Sequence, residues 1–245
     1  MLHTVSYATY GGIIKIDLKY NPDCYYTMNS ERVSKIYTSR LVLLDQLKEA
    51  GYITSSYVNA SIEEVNAMDI NVQLDMLLPN PNGTKIYVNY IGDDRFSDRT
   101  LTTLCNNIFG DNSEAAPILT KDDILMIIMM VDLTETLSNT LMRIYDRYGY
   151  YVIPRTIDQL QFNILRHTLV PRHVILTPDT LDVVLRRYRI DTDNLPKLSR
   201  FDPVAKAICI RPSQVCEITR PSSNAISTKF YRVCINAEFM KSTNV

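Results

Sequence analysis

Ile124-Leu-Met-Ile-Ile-Met-Met-Val131 is the longest unbroken apolar run in the chain, and it narrows the fold more than any other feature. Apolar on both faces, it predicts a strand covered on both sides. At eight residues it falls far short of the ~20 that a membrane-spanning helix needs, so no membrane association is expected. Helical periodicity and strand signals alternate around it. Ser30 is placed to cap a helix whose stripe is Val33, Ile36, Tyr37, Leu41, Leu44 and Leu47, with Asn21-Pro22 as a break before it and Gly51 at its stop. Ser61-Ile-Glu-Glu64 reads as a capping box. Pro79-Asn-Pro-Asn-Gly83 is a turn leading into a strand over Lys85–Ile91. A helix is expected from Ser97 to Ile108, ending near Gly110, and another from Thr134 to Gly149, followed by a strand over 150–153. Helices alternating with strands predict a small sheet with helices on its faces.

The punctuation changes after Leu160. Thr177-Pro-Asp179 opens a helix with the stripe Leu181, Val184, Leu185 and Tyr188, and Asp202-Pro203 opens a shorter one. Val215–Thr219 and Lys229–Ile235 read as two strands around a Pro221–Ser227 turn. The predicted architecture is α+β in two units, 1–160 and 161–245, with 1–29 as an extension. Charge divides the same way: residues 1–160 carry 13 Lys and Arg against 20 Asp and Glu, net −7, and residues 161–245 carry 13 against 7, net +6. Such asymmetry predicts units facing different partners.

Active-site chemistry finds little footing. Seven glycines and no GxxxxGK[ST], GxGxxG or GxSxG remove the phosphate-cradling loops and nucleophile elbows. His167 and His173 are spaced unlike helical metal ligands, with Pro171 between them, so no metal or other cofactor is expected. Asp17-Leu-Lys19, the one acid-x-Lys, lacks the upstream carboxylate of a metal-dependent nuclease. Five cysteines without a CxxC predict free thiols in a reducing compartment, and the first seven residues carry no secretory signal. Arg186-Arg187-x-Arg189 suits phosphates, an acidic protein surface or a solvated helix face.

His167-Thr-Leu-Val-Pro-Arg-His-Val-Ile-Leu-Thr-Pro-Asp179 closely resembles the signature of one family of RNA polymerase subunits, the shared fifth subunit of the eukaryotic nuclear enzymes and its shorter archaeal counterpart. The resemblance continues in order through Leu185-Arg-Arg-Tyr-Arg-Ile190, Leu195-Pro-Lys-Leu198, Asp202-Pro-Val-Ala205, Arg211-Pro-Ser-Gln-Val215, Ile218-Thr-Arg-Pro-Ser222 and Tyr231-Arg-Val233. It departs at Thr168 and over 206–210, where the usual glycine after the short helix is missing. No counterpart is recognised for 1–29 or for the tail after Asn236.

The resemblance implies an N-terminal jaw of nuclease-like layout without a nuclease site, and a C-terminal assembly domain docked on the largest polymerase subunit. It implies other polymerase subunits as partners, weak contact with downstream duplex DNA, and nucleotidyl transfer in other subunits. Partner contacts are expected at His167, Leu169, Val170, Pro171, Arg172 and His173, and DNA-contact candidates are Arg95, Arg99, Arg143 and Arg147. The implied location is the nucleus, or the host cytoplasm or virion if a large DNA virus encodes the chain. A stand-alone DNA-binding module and an α/β nuclease-like hydrolase are the alternative readings.

Overall fold

The computed structural model describes residues 7–9, 12–14, 22–92, 96–110, 117–222 and 225–237. The antiparallel pair β1 (Tyr7–Thr9) and β2 (Gly12–Ile14) precedes α1 (Pro22–Glu49). Ser30, the cap expected from the sequence, lies inside this helix, whose first residue is Pro22. Proline has no N–H to leave unpaired and its fixed φ suits a first helical turn, so the expected break is a start. Val33, Ile36, Leu43, Leu44 and Leu47 are buried, with Ser39, Arg40 and Gln46 beside them. Leu41 is 41% exposed, a departure from the expected stripe. Five residues beyond Ile36 it sits about 140° around the helix. Gly51 follows the helix with φ +94.

α2 (Ile62–Ile70) carries the expected capping box: Glu64 N donates to Ser61 Oγ at 3.2 Å and Ser61 N to Glu64 Oε2 at 2.8 Å. β3 (Met76–Pro79) and β4 (Lys85–Ile91) form an antiparallel hairpin, and Gly83 in its turn takes φ +87. β4 runs parallel to β5 (Ile124–Met129), and β5 to β6 (Tyr151–Thr156), in the order β3-β4-β5-β6. Parallel neighbours need crossovers, supplied by α3 (Asp98–Phe109) and α4 (Glu135–Tyr148). Ser97 and Thr134 cap these helices, and Gly149 ends α4 with φ +76.

β5 is buried at every position. On one face Met126 and Ile128 join Ile36, Leu43 and Leu47 of α1; on the other Leu125, Ile127 and Met129 join Leu101 and Ile108 of α3 and Leu137, Leu141 and Ile144 of α4. The apolar run is thus covered on both sides over Ile124–Met129, while its last residue, Val131, lies past the end of the strand and is 37% exposed.

A second sheet, in the order β7-β9-β10-β8, follows. It is built from β7 (Arg172–Ile175), β8 (Lys197–Ser199), β9 (Val215–Ser222) and β10 (Ala225–Ile235). β9 is antiparallel to β7 and β10, and β10 is parallel to β8. α5 (Pro178–Tyr188), capped by Thr177, sets Leu181 and Leu185 against Val215 and Val233 on one face. α6 (Pro203–Ala207), capped by Asp202, sets Ala205 beside Cys216, Ile218 and Cys234 on the other. The stripe expected to be buried on α5 is only half-buried, and Tyr188 is exposed. A single sheet face covers one side of a helix and leaves its flanks to solvent.

Arginines tie the two sheets together. Arg200 reaches the Val152 carbonyl and lies over the rings of Tyr145, Tyr151 and Phe201. Arg211 donates to the Lys121, Asp122 and Asp123 carbonyls, and Tyr151 Oη donates to the Ile210 carbonyl.

Candidate functional site

The segment expected to meet a partner leaves the first sheet through a 3-10 turn, Ile164–Arg166. Asn163 sets that turn by accepting from Leu165 N at 3.0 Å while donating to Asp45 of α1 at 2.7 Å. Arg166 adds a 2.6 Å ion pair to Asp45 and a longer one, 3.7 Å, to Glu49. Past this anchor, Leu169 N donates to His167 Nδ1 (3.2 Å) and Val170 N to the His167 carbonyl (2.9 Å). Leu169 is left 84% exposed. The His173 Nδ1–H donates to the Pro171 carbonyl at 2.7 Å, which fixes the ring as the chain enters β7.

Val170, Pro171, Arg172 and His173 come together along a groove of about 600 Å³ between β7 and the end of α1. His167 and Leu169 project from the surface beside it rather than lining it. The far wall comes from residues sequence reasoning missed: Gln46, Glu49 and Ala50 of α1, Leu165 of the turn, and Ala207 and Ile208 around α6. No local signal marks them. Gln46 lies over 120 positions before Val170 and belongs to an ordinary amphipathic pattern.

Next to the groove, two cations are buried without an ion pair to any carboxylate of the described residues. Arg155 of β6 is 2% exposed and Lys206 of α6 is 4% exposed. Lys206 Nζ donates to Gln159 Oε1 at 3.2 Å, while Arg155 Nε and Nη1 make no hydrogen bond among the described residues. Burial, with Arg155 adding to it and Asp202 opposing it, pulls the Lys206 ammonium down to about 8. Burial also pushes the Cys105, Cys209 and Cys234 thiols up to about 12, which makes them poor nucleophiles.

Arg99 on α3 and Arg143 and Arg147 on α4 are exposed, on the two helices that cover the same sheet face. Arg143 is partly engaged by Thr140 at 2.8 Å, and Arg147 lies 5.2 Å from the Tyr148 ring centre. Arg95, Asp17, Lys19 and most of 1–29 lie outside the described residues. Among the described residues, no group of three or more His, Cys, Asp and Glu could hold a metal ion. No helix among them is long and apolar enough to cross a membrane.

Against known proteins, the family described as RNA polymerase Rpb5, C-terminal domain, matches residues 162–234. That span takes in the anchor turn, the groove-lining segment and the whole second sheet up to Cys234. Rpo5, a DNA-directed RNA polymerase subunit of Pyrococcus abyssi, is 39% identical over 75 residues, 31% of this chain and 92% of the archaeal one. The chain belongs to the Rpb5 family of RNA polymerase subunits. A longer Rpb5-family relative is the RPABC1 subunit of DNA-directed RNA polymerases I, II and III of Caenorhabditis elegans. It is 26% identical over 152 residues, 62% of this chain and 66% of the nematode protein. The C. briggsae protein of the same name gives the same figures. The chain thus matches just under two thirds of the nematode subunits' length. Only 85 residues follow Leu160, so this likeness extends well into the first 160.

Proposed function

We propose that the chain is a non-catalytic, architectural subunit of a DNA-directed RNA polymerase, acting in transcription in the nucleus. Residues 161–245 form the assembly domain and dock on the largest subunit through His167, Leu169, Val170, Pro171, Arg172 and His173. Residues 1–160 form a jaw beside downstream duplex DNA, and nucleotidyl transfer belongs to the other subunits. One observation carries this reading: an archaeal polymerase subunit is matched over 92% of its length, so this chain contains nearly all of what that relative consists of.

The surface supports it. The segment from His167 to His173 is held rigidly by α1 at one end and by β9 at the other, yet presents Leu169 and Arg172 to solvent. A net charge of +6 over residues 161–245 suits an acidic docking surface and sets orientation more than affinity. The jaw, at −7, limits duplex contact to a local patch such as Arg99, Arg143 and Arg147, so DNA binding outside the enzyme is weak and salt-sensitive.

The test is co-expression with the largest polymerase subunit from the same source. Wild type is expected to co-purify with it, and Arg172→Glu, which places an acid on the docking face without touching a buried group, to reduce recovery several-fold. Failure of wild type to co-purify contradicts the reading.

A further inference from the structure

We infer that the free edge of β7 is a strand-addition site, taking an extended apolar segment of the partner polymerase subunit into the groove against α1. This rests on the docking reading above and adds how the partner is held.

Among the described strands, β7 stands at an edge of its sheet. Leu176 N donates to the Val215 carbonyl at 2.9 Å, and β7 pairs with β9 from Arg172↔Thr219 to Ile175↔Cys216. In an antiparallel ladder alternate residues face the partner strand. Leu176, Val174 and Arg172 therefore turn their backbone groups to β9, and His173 and Ile175 turn theirs outward. Outward is where the groove lies. Every residue from Val170 to Ile175 lines it, as a strand edge does; a strand face would contribute alternate residues.

Gln46 supplies an independent sign. Its side chain lines the same groove and is 1% exposed. Its Nε2 donates to Asn163 Oδ1 at 3.3 Å, while its Oε1 accepts no hydrogen bond from the described residues. A buried acceptor left without a donor is costly, and an incoming backbone N–H supplies one.

The occupant's chemistry follows. Two N–H and two C=O groups at strand spacing recognise a polypeptide backbone. Ala50, Leu165, Ala207 and Ile208 around them ask for apolar side chains, and about 600 Å³ holds a short extended stretch. A second copy of this chain is a poor fit, because the edge is short and is preceded by Pro171, which has no N–H to give.

Amide hydrogen exchange on the full chain, free and bound to the largest polymerase subunit, reads the edge directly. The His173 and Ile175 amides are expected to exchange fast in the free chain and about a hundredfold more slowly in the complex. A complex in which both stay fast overturns the inference and leaves the docking reading standing. Failure to form a complex overturns both. Protection in the free chain that grows with its concentration points to a second copy and also overturns it. His173→Pro deletes one outward N–H together with the imidazole bond to the Pro171 carbonyl, whereas His173→Ala loses the imidazole alone, so the proline variant is expected to weaken the complex about tenfold more than the alanine variant, and equal weakening overturns the inference.

Discussion

Val72, Arg189, Cys209 and Ser213 hold positive φ without being glycine. Cys209, at φ +56, falls in the stretch 206–210, where the family's usual glycine is missing. A left-handed residue follows α6, and a buried cysteine supplies it. The departure was readable in the sequence, but the positive φ that a cysteine takes there was not, because it is set by the fold around α6. Val72 offers the cleaner test. It is 86% exposed with φ +54, so its β-branched side chain is strained and buries almost nothing in return. Val72→Gly is expected to stabilise the chain by about 1 kcal/mol, seen as a melting temperature higher by about 2–4 °C. Lys206 is a second test at this scale. Its folded value, about 8, lies below the ordinary 10.5, so the folded state sheds this proton first as pH rises. Burying the charged form costs stability at pH 7, and the cost fades between about pH 8 and 10.5. Lys206→Met is therefore expected to be more stable than wild type at pH 7, with the gap closing over that window in paired urea titrations. The buried thiols cancel in that comparison, since both proteins carry them.

Elements were legible where their signals are local. Ser97, Thr134, Thr177 and Asp202 each cap the helix expected after them, and Ser61 with Glu64 closes a capping box, because a cap is written within four residues. Short strands are another matter. β7 and β8, four and three residues long, carry too little pattern to be seen, and they are strands because β9 and β10 pair with them. The start of α1 was missed for the opposite reason: Pro22 reads equally well as a stop or as a first turn. Asp123 shows how a single buried carboxylate sets two elements. It is 4% exposed and accepts from Lys85 N at 2.6 Å, Thr120 N at 2.7 Å and Thr120 Oγ1 at 2.8 Å. It thus ties the first residue of β4 to the entry of β5. Asp123→Ala leaves those donors unpaired and is expected to cost about 3 kcal/mol in chemical denaturation. Ser61→Ala, which loses only the exposed cap of α2, is expected to cost about 1 kcal/mol.

Across the whole molecule, the two sheets are joined by groups far apart in the chain. Arg200 stacks among Tyr145, Tyr151 and Phe201, and Arg211 holds the backbone at 121–123. None of this shows in hydropathy, because a buried arginine looks like any surface one until its partners are placed. The candidate site was half legible for the same reason. The segment from His167 to His173 stands out by its motif, whereas Gln46 and Ala207 join it only through folding. Wild type is expected to unfold in one calorimetric transition, and Arg200→Met, with a looser seam, in two. A rigid seam also fits the proposed role, since an assembly unit that grips the enzyme then fixes where the jaw stands. The most direct test of that role is affinity purification of the tagged chain from its native source at moderate salt, with mass spectrometry of what accompanies it. Near-stoichiometric recovery of the two largest polymerase subunits is the predicted result. Recovery of the chain alone, or with proteins unrelated to transcription, would contradict the account.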